Sequence, residues 1–233
     1  MTQIELRSDL PVRLIDQTGT DLQIAQTAWE DFDRQPESPE HLHAMLRGMC
    51  RLEHGSVFER GSLLVHIEAP LFVMAQINRH RIATSPNQRS ARYTEMLPHF
   101  YLPSPMRPLQ NVGTSMRPRM VPIDMQRYRE GCALLEEGYQ HDWNIYQALL
   151  ERGWAKEAAR IKLPEATYTG ISLQFNVRSV LNFLHLRVSD PGNAVKTYPQ
   201  WETEQVARQI ESMVETFWPV THAGWAEVGR PKV

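Results

Sequence analysis

Apolar residues recur along this chain at two spacings, and the spacing decides which elements are expected. Ser38-Pro39-Glu40 supplies an N-cap with proline at the first helical position, and Leu42, Met45, Leu46, Met49 and Leu52 follow at helical intervals. A helix over 39–53 is predicted. Ser62 to Ala69 alternates through Leu63, Val65 and Ile67 and reads as a strand, after which Pro70 opens a helix to about Arg79. Thr84-Ser85-Pro86-Asn87 has turn chemistry, and the chain then reads as extended through Tyr93. Pro103, Pro105, Pro108, Pro118 and Pro122, with Gly113, exclude a helix or central strand and predict a long mobile loop at about 103–122, the kind that often serves as a lid.

The longest helical pattern runs over 123–152 through Tyr128, Leu134, Leu135, Tyr139, Trp143, Tyr146 and Leu150, stopped by Gly153. A short helix ends near Leu163-Pro164. Thr167 to Phe175 reads as a strand, Val177 to Leu186 as a helix, Ser189 to Asn193 as a loop, and a last helix begins near Gln200. Helices outnumber strands and no repeat or low-complexity linker interrupts them, so the expectation is an α/β (α+β) fold in a single mixed domain over 1–233.

Composition narrows the class. With 233 residues, 42% of them hydrophobic, the chain can bury a substantial core. It has no uninterrupted apolar run of membrane-spanning length, and Met1 to Leu10 lacks a secretory apolar region. Cys50 and Cys132 are too few for a disulfide framework and too far apart for a metal knuckle. A cytoplasmic protein is expected. The formal charge of −2 argues against a general nucleic-acid or membrane binder.

Local charge carries more. Ala69 through Thr94 contains no acidic residue, yet Arg79, Arg81, Arg89 and Arg92 fall there with His80 among them. A solvated basic face usually intersperses Glu or Asp, so an anion site is the sharper reading. No Gly-x-Gly-x-x-Gly or Walker-type loop is present, and a nucleotide would have to be held by side chains. Arginine suits this, because its planar guanidinium bonds a phosphate through two parallel donors. On a later helix Arg178, Asn182 and His185 form one stripe, which taken alone is the solvent side of an amphipathic helix. His41, His43, Cys50 and His54 make a poor zinc set, since His41 and His43 do not share a helix face; no metal is expected. A serine-hydrolase elbow is missing, and both cysteines read as small buried hydrophobes.

The run Arg79-His80-Arg81-Ile82-Ala83-Thr84-Ser85-Pro86-Asn87-Gln88-Arg89-Ser90-Ala91-Arg92-Tyr93 resembles the signature of the flavin-dependent thymidylate synthases. Asn176-Val177-Arg178-Ser179-Val180-Leu181-Asn182-Phe183-Leu184-His185-Leu186-Arg187 is similar to that family's second block. His54-Gly55-Ser56-Val57-Phe58-Glu59 and Gln76 match too, so the likeness spans about 54–202. The resemblance implies a sheet of antiparallel type flanked by helices, a homotetramer, FAD and substrate bound where subunits meet, methylenetetrahydrofolate as carbon donor and NADPH as reductant. By position it gives His54, Ser56, Arg79, His80, Arg81, Gln88, Asn176, Arg178 and Asn182 to FAD. Gln76, Arg79, Gln88, Arg89, Ser90, Arg92 and Arg160 fall to the nucleotide, and Arg187 to the uracil as the catalytic arginine.

The implied reaction is methylation of C5 of a uridine 5'-monophosphate, with Arg187 stabilising negative charge as N3 loses its proton, in place of a cysteine thiolate. Three stretches depart from the family pattern. Eight residues, Ile82 to Arg89, separate Arg81 from Ser90 where seven are usual; the loop from Arg187 to Trp201 is longer and lacks a histidine; and Ala25-Gln26-Thr27-Ala28-Trp29 replaces the usual Ala-Arg-Val-Ser stretch. The first two border the nucleotide-binding run and Arg187, so UMP is expected as a substrate beside dUMP. Two rivals are an arginine-rich RNA-binding module, which should interleave aromatics where only Tyr93 is close, and a catalytically silent flavoprotein.

Overall fold

A computed structural model describes residues 3–28 and 36–233. Strands β1 (Glu5–Arg7) and β2 (Val12–Thr18) precede helices α1 (Asp21–Thr27) and α2 (Pro39–Arg51). A 3-10 turn (Gly55–Glu59) leads into β3 (Ser62–Pro70), α3 (Leu71–Ile77) and β4 (Thr84–Gln88). Three short strands follow, β5 (His99–Tyr101), β6 (Gln110–Asn111) and β7 (Met120–Val121), then the long α4 (Met125–Glu151), α5 (Lys156–Ala159) and a 3-10 turn (Arg160–Lys162). The chain finishes on β8 (Tyr168–Asn176), α6 (Val177–Arg187), α7 (Trp201–Phe217) and α8 (Pro219–Glu227). The fold is mixed α/β, and its main sheet has the order β2-β3-β8-β4.

The period-two reading holds in β3, where Leu63, Val65 and Ile67 are fully buried, and β2 pairs with it antiparallel from Val12↔Ile67 to Thr18↔Ser62. Ser38 caps α2 as expected, its side chain accepting from His41 N.

By contacts the chain forms two compact units. The first comprises Met1–Leu10, Glu68–Gln76 and Gln88–Ile171. Its core is an aromatic cluster in which Tyr139, Trp143 and Tyr146 of α4, one stripe at helical spacing, close over Phe100. Phe100 stacks on Tyr139 at 5.3 Å between centroids, and Tyr146 Oη accepts from Met96 N at 3.1 Å. The second unit comprises Pro11–Ile67, Ile77–Asn87 and Ser172–Val233. Here α8 crosses α2 closely enough that a Cβ on Gly224 would sit 3.0 Å from the Arg47 backbone. Asp21, buried at the start of α1, accepts from Val220 N, Thr221 N and Thr221 Oγ1 at 2.6–3.0 Å and so caps α8.

Several expectations are corrected. Thr84-Ser85-Pro86-Asn87 forms β4, not a turn; β4 lies at the edge of the sheet, where a proline lacking N–H is tolerated. After Gln88 the chain does not stay extended. Tyr93 N and Thr94 N both donate to Ser90 O while Ser90 Oγ accepts from Arg92 N, which winds 90–94 into a turn. The proline-rich stretch contains the antiparallel pair β6–β7, because Asn111 Oδ1 accepts from both Gly113 N and Arg119 N. The last helical segment is two helices, parted at Trp218-Pro219 with proline at the first position of α8. Leu134, expected in the apolar stripe of α4, is 72% exposed. The second strand and the first helix carry too little periodicity to be read in advance, and Trp29 of the departing stretch lies outside the described residues.

Candidate functional site

Two cavities hold most of the residues singled out in the sequence. The larger, about 510 Å³, lies in the second unit and is bordered by Arg79, His80 and Arg81 beyond α3, Asn176 and the α6 stripe, Glu59, and the final residues Lys232 and Val233. The local folding explains the convergence. Asn176 ends β8 and caps α6, its Oδ1 accepting from Ser179 N at 2.8 Å, so α6 starts at a fixed point. Ala83 takes a left-handed φ of 51°, turning the chain after Arg81, and its carbonyl accepts from Ser179 Oγ at 3.0 Å. The polar stripe is therefore a cavity wall and not a plain solvent face.

The stripe is already bonded. Arg178 donates from Nη1 to Glu59 Oε1 at 2.7 Å and from Nε to Val233 O at 3.0 Å. Asn182 makes a two-way pair with Val233, donating to its carbonyl at 2.8 Å and accepting from its N–H at 2.9 Å. His185 Nδ1 lies 2.7 Å from Arg230 O, and Arg230 is itself buried against Glu211 and Asp190 with its guanidinium over the Trp225 ring. No sequence signal marked segment 230–233 as part of this wall, and Glu59, although it ends the matching run from His54, carried no expected role; only the fold brings both to α6.

At the far end of α6, Arg187 Nε donates to His80 Nε2 at 3.0 Å. An imidazole nitrogen that accepts carries no proton, so His80 is neutral with its proton on Nδ1. Burial, with the Arg187 charge second, pulls His80 down to about 4, and its ring meets Phe183 edge-on at 4.8 Å. Burial, with Arg79 second, also lowers the Arg187 guanidinium from its usual range. Arg79, His80 and Arg187 thus form one electrostatic group in one chain.

The smaller cavity, about 80 Å³, lies in the first unit and is bordered by Gln88, Arg89 and Arg160 together with Thr167 and Thr169. Arg89 is fixed by its backbone, whose N–H donates to Gly170 O at 2.9 Å. The other expected residues fall outside both linings. Ser90 organises the 90–94 turn, Arg92 pairs with Glu157 at 2.7 Å, Gln76 lies half-buried on α3, and His54 and Ser56 are exposed at the 3-10 turn. The acid missing locally around Arg92 is supplied by α5, 65 residues on.

The model of the family described as thymidylate synthase complementing protein matches residues 13–220. The chain belongs to this family. It is 32% identical to a flavin-dependent thymidylate synthase of Streptomyces coelicolor over 98% of this chain and 95% of that one. A flavin-dependent thymidylate synthase of Kosmotoga olearia is 34% identical over 91% of this chain and 87% of its own. Among solved structures, the UMP/dUMP methylase PolB of Streptomyces cacaoi bound with 5-Br UMP superposes with a TM-score of 0.93 at 33% identity, covering all of both chains. The same methylase bound with 5-Br dUMP gives a TM-score of 0.93 over 99% of this chain. Membership in the thymidylate synthase complementing family assigns both arginine blocks to one enzyme fold.

Proposed function

We propose that this chain is a flavin-dependent methyltransferase that methylates C5 of uridine 5'-monophosphates, taking both UMP and dUMP. The observation that carries the reading is the convergence of Arg79, Arg81 and Arg178 with Asn176 and Asn182 on one cavity whose single acid, Glu59, is tied to Arg178. Its volume of about 510 Å³ falls in the range of small-molecule sites, and its charge suits an anionic dinucleotide. Gly55 supports the fit, since a Cβ there would run into the Arg178 guanidinium. FAD would be held by Arg79, His80, Arg81, Asn176, Arg178 and Asn182, with His54, Ser56 and Gln88 completing its contacts. Flavin, when bound, supplies the redox capacity to reduce the transferred carbon, with methylenetetrahydrofolate as carbon donor and NADPH as reductant.

The protein's own part is positioning and charge. Arg187, positioned by its Nε bond to His80, faces the uracil and stabilises the negative charge left when N3 loses its proton. Gln76, Arg79, Gln88, Arg89, Ser90, Arg92 and Arg160 hold the nucleotide. Cys50 does not fit as a thiolate nucleophile, for it is fully buried and burial pushes its thiol up to about 12. PolB, whose solved complexes contain 5-Br UMP and 5-Br dUMP, supports the double specificity.

A homotetramer with shared sites and a cytoplasmic location belong to the same reading. Both cysteines are unpaired, and no helix among the described residues is long and apolar enough to cross a membrane. The two compact units are read as one domain, because neither is a continuous stretch of chain. The test is direct: the protein is incubated with FAD, its visible absorbance recorded, and UMP and dUMP are each supplied with methylenetetrahydrofolate and NADPH. Flavin uptake and methylated products of both nucleotides, identified by mass, are expected. Failure to take up flavin would overturn the reading, and product from dUMP alone would restrict it to thymidylate synthesis.

A further inference from the structure

The smaller cavity contains a group that neither the family motifs nor the arginine pattern assigns. Thr169, on β8, borders it and is only 5% exposed, and among the described residues its Oγ1 meets no hydrogen-bond partner. Its neighbour Thr167 borders the same cavity, but there the hydroxyl donates to Pro164 O at 2.7 Å and is satisfied within the fold. Two threonines on one wall thus differ in a way that packing does not require. A buried hydroxyl without a partner destabilises the protein that carries it, and valine would fill the same space without that loss.

The rest of the wall says what the hydroxyl meets. Arg89 and Arg160 bring two permanent positive charges and Gln88 an amide, while Leu71, Ala91, Met96 and Leu163 keep the remainder apolar. About 80 Å³ is room for a phosphate group but not for a whole nucleotide. We propose that the Thr169 hydroxyl is a further phosphate-binding group, donating to a phosphoryl oxygen of the nucleotide between Arg89 and Arg160. This rests on the nucleotide reading above and extends it to a residue outside both sequence blocks. The apolar side of the cavity limits water, so a neutral donor there contributes more than it would at the surface.

Thr169→Val and Thr169→Ser in the full chain test this by calorimetric titration with UMP and with dUMP, alongside thermal melting of the ligand-free proteins. Thr169→Val is expected to weaken both nucleotides alike, by roughly tenfold, as loss of a hydrogen bond to a charged group does. Its ligand-free melting temperature is expected to match or exceed that of the parent, and Thr169→Ser should restore affinity. Unchanged affinity in Thr169→Val would overturn the assignment, and so would a lower melting temperature, which would give the hydroxyl to the fold. A loss confined to UMP would move it to the ribose 2'-oxygen. If the parent chain binds neither nucleotide, the functional reading itself fails, an outcome distinct from any difference between variants.

Discussion

Arg187 and His80 show how a single contact fixes a protonation state. His80 is held at about 4 against an ordinary 6.5, so as pH falls the unfolded chain takes up this proton first. The contribution of the neutral ring is complete above pH 6.5 and is lost as pH falls towards 4. Protonation also ends the Arg187 bond, because Nε2 becomes a donor and a third cation joins Arg79 and Arg187. Denaturant unfolding of the parent and of His80→Gln between pH 7 and 4.5 should give a steeper acid loss in the parent. Identical slopes would show that His80 is not held neutral. His222, also lowered by burial, is common to both proteins and cancels in the difference.

At the scale of elements, α6 is the organiser. Its apolar side, Val180, Leu181, Phe183 and Leu184, is buried, while its polar stripe forms the cavity wall, so one helix serves the core and the site together. The 3-10 turn that carries Gly55 limits where Arg178 can lie. Gly55→Ala leaves the backbone unstrained but forces the Arg178 guanidinium to swing away, with loss of the exposed pair to Glu59, worth about 0–1 kcal/mol, and of the Nε bond to Val233 O, worth about 1–2 kcal/mol. A modestly lowered melting temperature is expected, with flavin affinity reduced about tenfold in a fluorescence titration. Flavin affinity equal to that of the parent would remove Arg178 from the cofactor set. The stripe was readable from spacing alone; what it faced was not, since a solvated face and a site wall have the same helical periodicity.

For the whole molecule, the two arginine groups frame the proposed assembly. Arg79 and Arg187 influence each other within one chain, so variants at these two positions would damage the same group. Arg160 borders the separate cavity of the other unit. If active sites are completed across subunits, Arg187→Ala and Arg160→Ala proteins, each nearly inactive, should recover part of the activity when assembled together. Arg187→Ala should keep its flavin, because the proposed function gives this residue to the pyrimidine. Mixed assemblies verified by mass that stay inactive would place both residues in one chain's site.

Some of this was fixed by local order along the chain. Ser38 and Pro39 set the start of α2, and alternation through Leu63, Val65 and Ile67 set β3. The two arginine blocks carried the family, for their residue types and intervals survive without any knowledge of the fold. Tertiary structure decided what depends on neighbours distant in sequence. Pro86 lies in a strand because that strand is an edge, Arg92 finds Glu157 on α5, and Val233 reaches Asn182 across 51 residues. Thr167 and Thr169 are indistinguishable as letters; only the packed fold gives one hydroxyl a carbonyl and leaves the other facing a cavity between two arginines. Periodicity specifies which face is buried, whereas a hydrogen bond is specified only when both of its ends are in place.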